Sequence, residues 1–224
     1  EKGYVSYTID GTDLIVADIL RNVNNGFYVD IGANHPISYN NTYYFYKRGW
    51  NGFSVDGNQK FEPLWLRERP LDTFITALVS SEVKQVDFKI FKDHKMSSMN
   101  IDQIKLYEKR FSKNEITSHP GTTTTLSNLK NEYFAEKEVH FLTIDVEGED
   151  LNCLIGANLS NWKPGVVVME VKNMSIYNVI SNDVVEHLNS YGYRLISKTP
   201  LNAIFVYPSK PYLTWIPETL TAMK

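Results

Sequence analysis

The sequence predicts an α/β protein with a mainly parallel sheet, helices on both faces and an antiparallel hairpin at the C-terminal end. Short apolar segments alternate with stretches of helical periodicity along most of the chain. These apolar segments are continuous runs, which is typical of strands that are buried on both faces. A short polar connection separates the last two segments, as in a hairpin.

Seven segments are predicted as strands because each is short, apolar and rich in strand-forming residues. They are residues 27–31, 52–56, 73–79, 139–145, 166–171, 193–196 and 203–207. Helices are predicted at 38–49, 148–160 and 176–188, where apolar or aromatic side chains recur at helical spacing. Residues 92–137 interrupt the alternation and are predicted to hold two helices, near 100–112 and 126–135. Two interpretations of this insert stay open: a surface excursion, or a lid or acceptor-binding region.

Length and composition indicate one globular domain over residues 1–224. The net charge of −3 provides no basic surface, so we expect no nucleic-acid partner. Cys153 is the only cysteine, which excludes an internal disulfide and favours a reducing, cytoplasmic location. No run is long and apolar enough to span a membrane. Since the chain opens at Glu1, we expect it to be one domain of a longer protein.

The first predicted strand ends in the most informative motif, a turn that contains Asp30 and Gly32. Ligands of open α/β sheets bind beyond the carboxyl ends of strands, and glycine lets backbone approach them. The next strand ends in Asp56, so two acids meet at one sheet edge. A dinucleotide site would need a glycine-rich turn, but this turn has one glycine and then Pro36. S-adenosylmethionine, which has no bridging phosphates, fits better. The alternatives are a helix cap for Asp30 and a turn residue for Asp56.

A second group of acids follows two later strands. Asp145 and Glu147 come directly after one strand, and Glu170 ends the next. Carboxylates at neighbouring strand ends can hold a cofactor or act on a substrate, whereas the plain alternative is that they cap the following helix. Three carboxylates could also bind a divalent cation. We expect no metal, because no further Asp or His spacing supports one.

Six short motifs together resemble one enzyme family. They are VDIGAN at 29–34, NTY at 41–43, YKRGW at 46–50, DGN at 56–58, TL at 125–126 and IDVEG at 144–148. The chain is similar, over residues 25–207, to the FkbM family of S-adenosylmethionine-dependent methyltransferases. The resemblance implies a Rossmann-like class I methyltransferase fold with a seven-stranded sheet. It also implies O-methylation of a hydroxyl, often on a sugar of a glycan or polysaccharide.

The resemblance also assigns roles to residues. Asp56 would hold the ribose of the cofactor and Ser80 would lie near the adenine. Asp30, Gly32 and Asn34 would line the methionine end. We also expect Ala33, in the same turn, to bind the cofactor, and we expect Asp145 to lie beside its sulfonium because of its place at the strand end. Gly57 departs from the proline or alanine that is more usual after the ribose-binding acid.

A sugar hydroxyl is a poor nucleophile, so a base within hydrogen-bond reach should accelerate the transfer. The candidates are Asp145, His35 and Glu147, in that order. His35 has the best intrinsic pKa, but a histidine before proline is as often a capping residue. The expected partners are a sugar or glycan acceptor and, in a longer protein, neighbouring glycosyltransferase domains.

The sequence leaves two other functions open. The chain could be a non-catalytic module that binds a nucleoside or a glycan. It could also methylate a non-sugar small molecule. The acids argue against a mere binding module, because placing several of them near one pocket is costly unless they are used.

Overall fold

The computed structural model describes residues 4–172 and 174–214. Within these residues the chain forms eight α-helices and ten β-strands. The strands are β1 (Phe27–Ile31), β2 (Asn51–Asp56), β3 (Thr73–Thr76), β4 (Leu78–Val79), β5 (Gln85–Phe91), β6 (Ile116–Thr124), β7 (Phe141–Ile144), β8 (Val166–Glu170), β9 (Arg194–Lys198) and β10 (Asn202–Val206). The helices are α1 (Thr12–Ile19), α2 (Tyr43–Tyr46), α3 (Glu62–Glu68), α4 (Ile101–Tyr107), α5 (Leu126–Tyr133), α6 (Asp150–Gly156), α7 (Ile176–Val179) and α8 (Asp183–Ser190). In the described part of the chain, no helix combines the length and the apolar character that crossing a membrane requires.

The main sheet has seven strands in the order β3-β2-β1-β7-β8-β10-β9. Its neighbouring strands are parallel except for β10, which is antiparallel to both β8 and β9. The predicted fold class, with its C-terminal hairpin, is therefore confirmed. The strand order reverses between β1 and β7, and in such sheets ligands bind at the carboxyl ends of the strands beside that reversal.

Two hydrophobic cores lie on opposite faces of this sheet. In β1, Val29 and Ile31 join one core and Tyr28 joins the other. Leucines and valines of α5, α6 and α8 fill the first core, and apolar residues of α1 together with Phe45 of α2 fill the second. Because both faces are covered, the central strands are apolar at successive positions, which explains the continuous runs in the sequence.

The predicted helices are shorter in the structure than the periodicity indicated: 148–160 is helical only in α6, and 100–112 only in α4. For two others the physical reason is visible. The segment 38–49 is helical only in α2, because Tyr39 has a left-handed φ of 57° and Asn40 uses its side chain to bind the strand below. The segment 176–188 divides into α7 and α8, because the Asn182 side chain accepts a hydrogen bond from the Val184 N–H and caps a new helix.

The insert at 92–137 contains the two expected helices as α4 and α5. Two strands were not predicted: β5, which comes just before the insert, and β6, which lies within it. β5 and β6 form an antiparallel pair, and β4 joins β6 in a separate three-stranded sheet. The predicted strand 73–79 consequently splits, since its first half pairs with β2 and its second half with β6. β6 is mostly polar and exposed, so it carries no apolar run that could reveal it.

A buried arginine ties the loop after β1 to the helix α3. The side chains of Arg69 and Asp72 are both fully buried and form an ion pair of 2.7 Å between Nε and Oδ2. The guanidinium also donates to the Pro36 carbonyl at 3.2 Å and to Thr42 Oγ1 at 3.0 Å. Tyr28 completes the set, because its hydroxyl accepts from Arg69 and donates to Asp72. This network fixes the loop over the end of β1.

Arg69→Met should destabilise the fold strongly. Removing one partner of a buried ion pair leaves Asp72 as an uncompensated charge, which typically costs about 3–5 kcal/mol. Arg67→Met is the matched control, because Arg67 is exposed and pairs with Glu68 at the surface; such pairs contribute about 0–1 kcal/mol. Urea denaturation measures both values. Equal losses for the two variants would show that the buried network does not hold the loop.

Candidate active site

A cavity of about 480 Å³ opens at the carboxyl edge of the main sheet. The ends of β1, β2, β7 and β8 form its floor, and residues 92–95, 97 and 99 of the insert contribute to its wall. Its volume is in the usual range of small-molecule sites, and its position is where open α/β sheets bind ligands. The predicted acids at the strand ends all line this one space: Asp30, Asp56, Asp145, Glu147 and Glu170.

The turn after β1 lies directly against the end of β7. Gly32 has a φ of 81°, and a Cβ built on it would lie 1.7 Å from the Asp145 carbonyl oxygen. Only glycine fits both requirements. The Asp145 N–H donates to the Ile31 carbonyl at 2.9 Å, which extends the pairing of the two strands to this point. The predicted glycine therefore permits two strand ends to meet closely.

Asp30 lies under the loop and organises it. Its Oδ2 accepts hydrogen bonds from Asn40 Nδ2 at 3.1 Å and from Thr42 Oγ1 at 2.8 Å. Burial raises the pKa of Asp30 to about 6, although Arg69 and these two hydrogen bonds oppose the shift. Asp30 is thus a loop anchor at the cavity wall, and the helix-cap alternative does not describe its contacts.

Asp56 closes the turn on the other side of β1. Its Oδ2 accepts from the Asn34 N–H at 2.9 Å and its Oδ1 from the Asn58 N–H at 2.8 Å. Burial raises the pKa of Asp56 to about 6, against these two hydrogen bonds. Gly57 has a local reason as well, since a Cβ there would lie 2.5 Å from the Leu78 side chain and 3.0 Å from the ring of Phe88.

Asp145 is the carboxylate with the fewest contacts in the cavity. Its Oδ1 is buried and has no hydrogen-bond partner among the described residues. Burial, and then the negative charges of Glu170 and Glu147, raise the pKa of Asp145 well above its ordinary value, while Lys172 opposes the shift. An oxygen in this state can accept a proton or bind a ligand donor.

A lysine that sequence reasoning missed stands between the other two acids. Lys172 Nζ lies 3.1 Å from both carboxylate oxygens of Glu147 and 2.5 Å from Glu170 Oε1. Burial and then Glu147 raise the pKa of Glu170 to about 7, against the opposing charge of Lys172. For Lys172 itself, burial opposes the charge, but the surrounding carboxylates outweigh it and raise the pKa of the amine.

The insert holds the loop after β7 in place. Tyr107 donates its hydroxyl to Glu147 Oε2 at 2.5 Å, and Ser98 Oγ donates to the Glu147 carbonyl at 2.7 Å. Glu147 has a left-handed φ of 49°, and Asp150 accepts the N–H groups of Val146 and Gly148 at 3.0 Å each. The Asp-Val-Glu-Gly motif is therefore a tight loop clamped from two sides.

Tyr39 and Lys95 face each other at the mouth of the cavity. Tyr39 is 63% exposed, and Lys95 Nζ lies 4.7 Å from the centroid of its ring. Both residues line the cavity, one from the loop after β1 and one from the insert. An exposed aromatic ring beside a cation provides a stacking surface next to the buried acids.

His35 lines the cavity but also shapes the turn. Its Nδ1 accepts from the Ile37 N–H at 3.1 Å and from the Ser38 N–H at 3.0 Å. The other ring nitrogen then carries the proton of the neutral ring. His35 can donate a hydrogen bond to a ligand, whereas accepting a proton would disrupt the turn. The geometry favours the capping alternative.

Ser80 lies behind the wall of the cavity. It is fully buried, and its hydroxyl donates to Glu149 Oε2 at 3.0 Å. Leu78 and Val79 line the cavity from this part of the chain, and Ser80 does not. The structure therefore brings together every predicted site residue except Ser80.

Arg69, Lys172 and Tyr107 were missed for different reasons. Arg69 and Tyr107 lie in polar helical segments far along the chain from their partners, and no local pattern marks them. Lys172 had a usable signal, because it lies two positions after Glu170, and alternate residues of an extended chain share a face.

Comparison with known proteins gives one family match. A family model described as the methyltransferase FkbM domain matches residues 30–195, well over half of the chain. The matched segment contains the turn after β1, Asp56, the insert and the acids after β7 and β8. No curated protein sequence matches the chain.

Two solved structures superpose on most of the chain. One is a TehB-like SAM-dependent methyltransferase from Corynebacterium glutamicum, with 10% sequence identity, coverage of 88% of each chain and a TM-score of 0.45. The other is a precorrin-6y C5,15-methyltransferase from Geobacter metallireducens, with 11% identity, coverage of 87% of this chain and 86% of that one, and a TM-score of 0.45.

Gly32→Ala should destabilise the protein more than an equivalent change elsewhere. The new methyl group would collide with the Asp145 carbonyl and would also impose a left-handed alanine. Gly49→Ala is the matched control, because Gly49 has a φ of 88° but open space around its Cβ position; its left-handed strain alone costs about 1–2 kcal/mol. Urea denaturation should show a clearly larger loss for Gly32→Ala. Indistinguishable losses would contradict the close contact between the two strand ends.

Proposed function

We propose that this chain, which belongs to the FkbM methyltransferase family and has S-adenosylmethionine as its cofactor, methylates a hydroxyl group of a sugar in a glycan or polysaccharide. One observation supports the proposal most: the cavity joins the turn after β1 to Asp145, whose Oδ1 has no hydrogen-bond partner among the residues that the structure describes.

The cavity suits the cofactor in its donor and acceptor groups. Its floor has the backbone of the turn at Gly32, carboxylates at the ends of four neighbouring strands, and Asp145 Oδ1, which has no hydrogen-bond partner in the described part of the chain. Ser97 Oγ, from the insert, is a second buried polar atom without a partner among the described residues, and Ser97 also lines the cavity. These groups match a ligand with an amine and hydroxyls and with no phosphate.

Strand positions divide the binding roles. Asp56, at the end of β2, would accept the two ribose hydroxyls, since a fixed carboxylate can accept two hydrogen bonds. The turn of Gly32, Ala33 and Asn34, held by Asp30 below it, would contact the methionine end. Leu78 and Val79 replace Ser80 as the nearest candidates to face the adenine, because they line the cavity.

The chemistry then takes place at the end of β7. The bound cofactor supplies an electrophilic methyl group. Asp145 would accept the proton of the acceptor hydroxyl at Oδ1, and a base in this position typically accelerates a transfer by about 10²–10⁴-fold. Glu147 is engaged by Lys172 and Tyr107, and His35 by its turn, so both are less available than Asp145.

The mouth of the cavity favours a sugar as the acceptor. Tyr39 presents an exposed ring at the rim, and sugar rings stack on aromatic faces. The adjacent insert contributes polar side chains from 92–95, which can bind hydroxyl groups. A small apolar acceptor would leave these groups without a partner.

Two measurements test the proposal in sequence. Calorimetry should show one binding site for S-adenosylmethionine and one for S-adenosylhomocysteine, with Asp56→Asn weakening both by about tenfold or more, as expected for a lost charged hydrogen bond. Cofactor with a labelled methyl group is then incubated with a panel of synthetic glycans. Transfer to a glycan hydroxyl is the expected result. Binding without transfer to any glycan, but with transfer to a non-sugar hydroxyl, would overturn the acceptor assignment.

Asp145→Asn should abolish most of the turnover without loss of cofactor binding. The rate should fall by about 10²-fold or more because the base is removed. Stability should not fall, since the variant no longer buries an ionised carboxylate. Asp102→Asn is the control, because Asp102 lies exposed on α4.

The pH profile adds a second readout. Asp145 must be ionised to act as the base, and its pKa is raised. As the pH increases, kcat/KM of the wild type should therefore rise, and the midpoint of this rise should lie above the ordinary aspartate pKa of about 3.9. Asp145→Asn should lack this rise. Wild-type turnover in Asp145→Asn with the cofactor bound would assign the base to another residue.

A further inference from the structure

Asp145, Glu147 and Glu170 have the spacing of a divalent-cation site. One oxygen from each lies within 4.8 Å of the others, and Oδ1 of Asp145 is buried with no partner among the described residues. Carboxylate oxygens are the ligands that Mg²⁺, Ca²⁺ and Mn²⁺ prefer. By donor type and distance, the cluster could serve as a metal centre.

A side chain of the protein already supplies a cation there. Lys172 Nζ lies within 3.1 Å of oxygens of Glu147 and Glu170, and the lysine side chain is 35% exposed toward the cavity. Among the described residues, three carboxylates from two parts of the sheet edge act on the amine: Asp145 and Glu147 after β7, and Glu170 at the end of β8. Tyr107 of α4 adds a neutral hydroxyl.

We infer that Lys172 is a tethered cation that takes the place of a divalent metal at this cluster. Its three N–H donors hold Glu147 and Glu170 in fixed positions, and its charge offsets part of the repulsion among the acids. Lys172 is therefore a positioning residue, and Asp145 keeps one oxygen free for the acceptor. The last point rests on the proposed function, whereas the exclusion of metal by the amine does not.

Removal of the amine tests this directly. Without it, three carboxylates share one partly buried site, which favours uptake of a compensating cation. Lys172→Met removes the charge at similar length, and Lys172→Gln does so with a polar side chain in case the first variant does not fold. Lys172→Arg keeps the charge. Lys105→Met is the matched control, because Lys105 is exposed and pairs with Asp102 on the surface.

The primary readout is the binding of Mn²⁺ alone to the cofactor-free protein, measured by electron paramagnetic resonance. We expect the Met or Gln variant to bind one Mn²⁺ at least tenfold more tightly than the wild type, Lys172→Arg and Lys105→Met. Adding Glu170→Gln to Lys172→Met should remove the new site. Equal affinity in the wild type and the folded Lys172 variants would overturn the inference, whether both bind Mn²⁺ or neither does.

Methyl transfer provides an independent second readout. The wild type should be insensitive to EDTA, whereas Lys172→Met should be slow and partly restored by Mn²⁺ or Mg²⁺. Loss of wild-type turnover in EDTA would contradict the inference. If no acceptor is ever methylated, the proposed function fails, but the Mn²⁺ titration still decides the role of Lys172.

Discussion

Buried negative charge at one edge of the sheet is the constraint on which the rest of this structure depends. The parallel strands bring their carboxyl ends together, and the sequence places an acid at or just after four of them. Carboxylates in such a place repel one another and lose solvation, which is why burial raises the pKa values of Asp30, Asp56 and Glu170. Two cations of the described residues offset part of this negative charge: Arg69, which is fully buried, and Lys172, which is partly buried.

These two cations divide the site into halves with different properties. Around Arg69, every donor and acceptor that holds the loop after β1 has a protein partner, so this half is a rigid wall. Around Lys172, Glu147 and Glu170 both bind the amine, but Asp145 Oδ1 has no partner within residues 4–172 and 174–214. In the proposed function, the rigid half would hold the methionine end of the cofactor, and the acceptor hydroxyl would lie at Asp145 in the open half. The half around Arg69 would thus serve cofactor binding, and the half around Lys172 would serve the chemistry.

Local patterns revealed the parts of the fold that depend on local physics. Strands buried on both faces are apolar throughout, and acids follow them directly, so the sheet and its acidic edge could be predicted. β6 is mostly polar and exposed, so no apolar run marks it. β5 does alternate, with Val86, Phe88 and Ile90 at every second position, and this strand signal was missed. Arg69 could not be predicted, because the loop that it supports lies about thirty residues earlier in the chain. Ser80 follows β4 and does not line the cavity, because its side chain is buried and bound to Glu149, a contact between distant parts of the chain that no local pattern marks.

A crystal structure with S-adenosylhomocysteine, grown in a high concentration of Mg²⁺, would show both where the cofactor binds and whether Lys172 keeps its place among the acids. We expect the ribose hydroxyls on Asp56, the sulfur within reach of an acceptor at Asp145, and Lys172 Nζ still between Glu147 and Glu170 with no metal ion beside it. A cofactor that lies elsewhere, or a Mg²⁺ ion that displaces the lysine from the acids, would contradict this expectation.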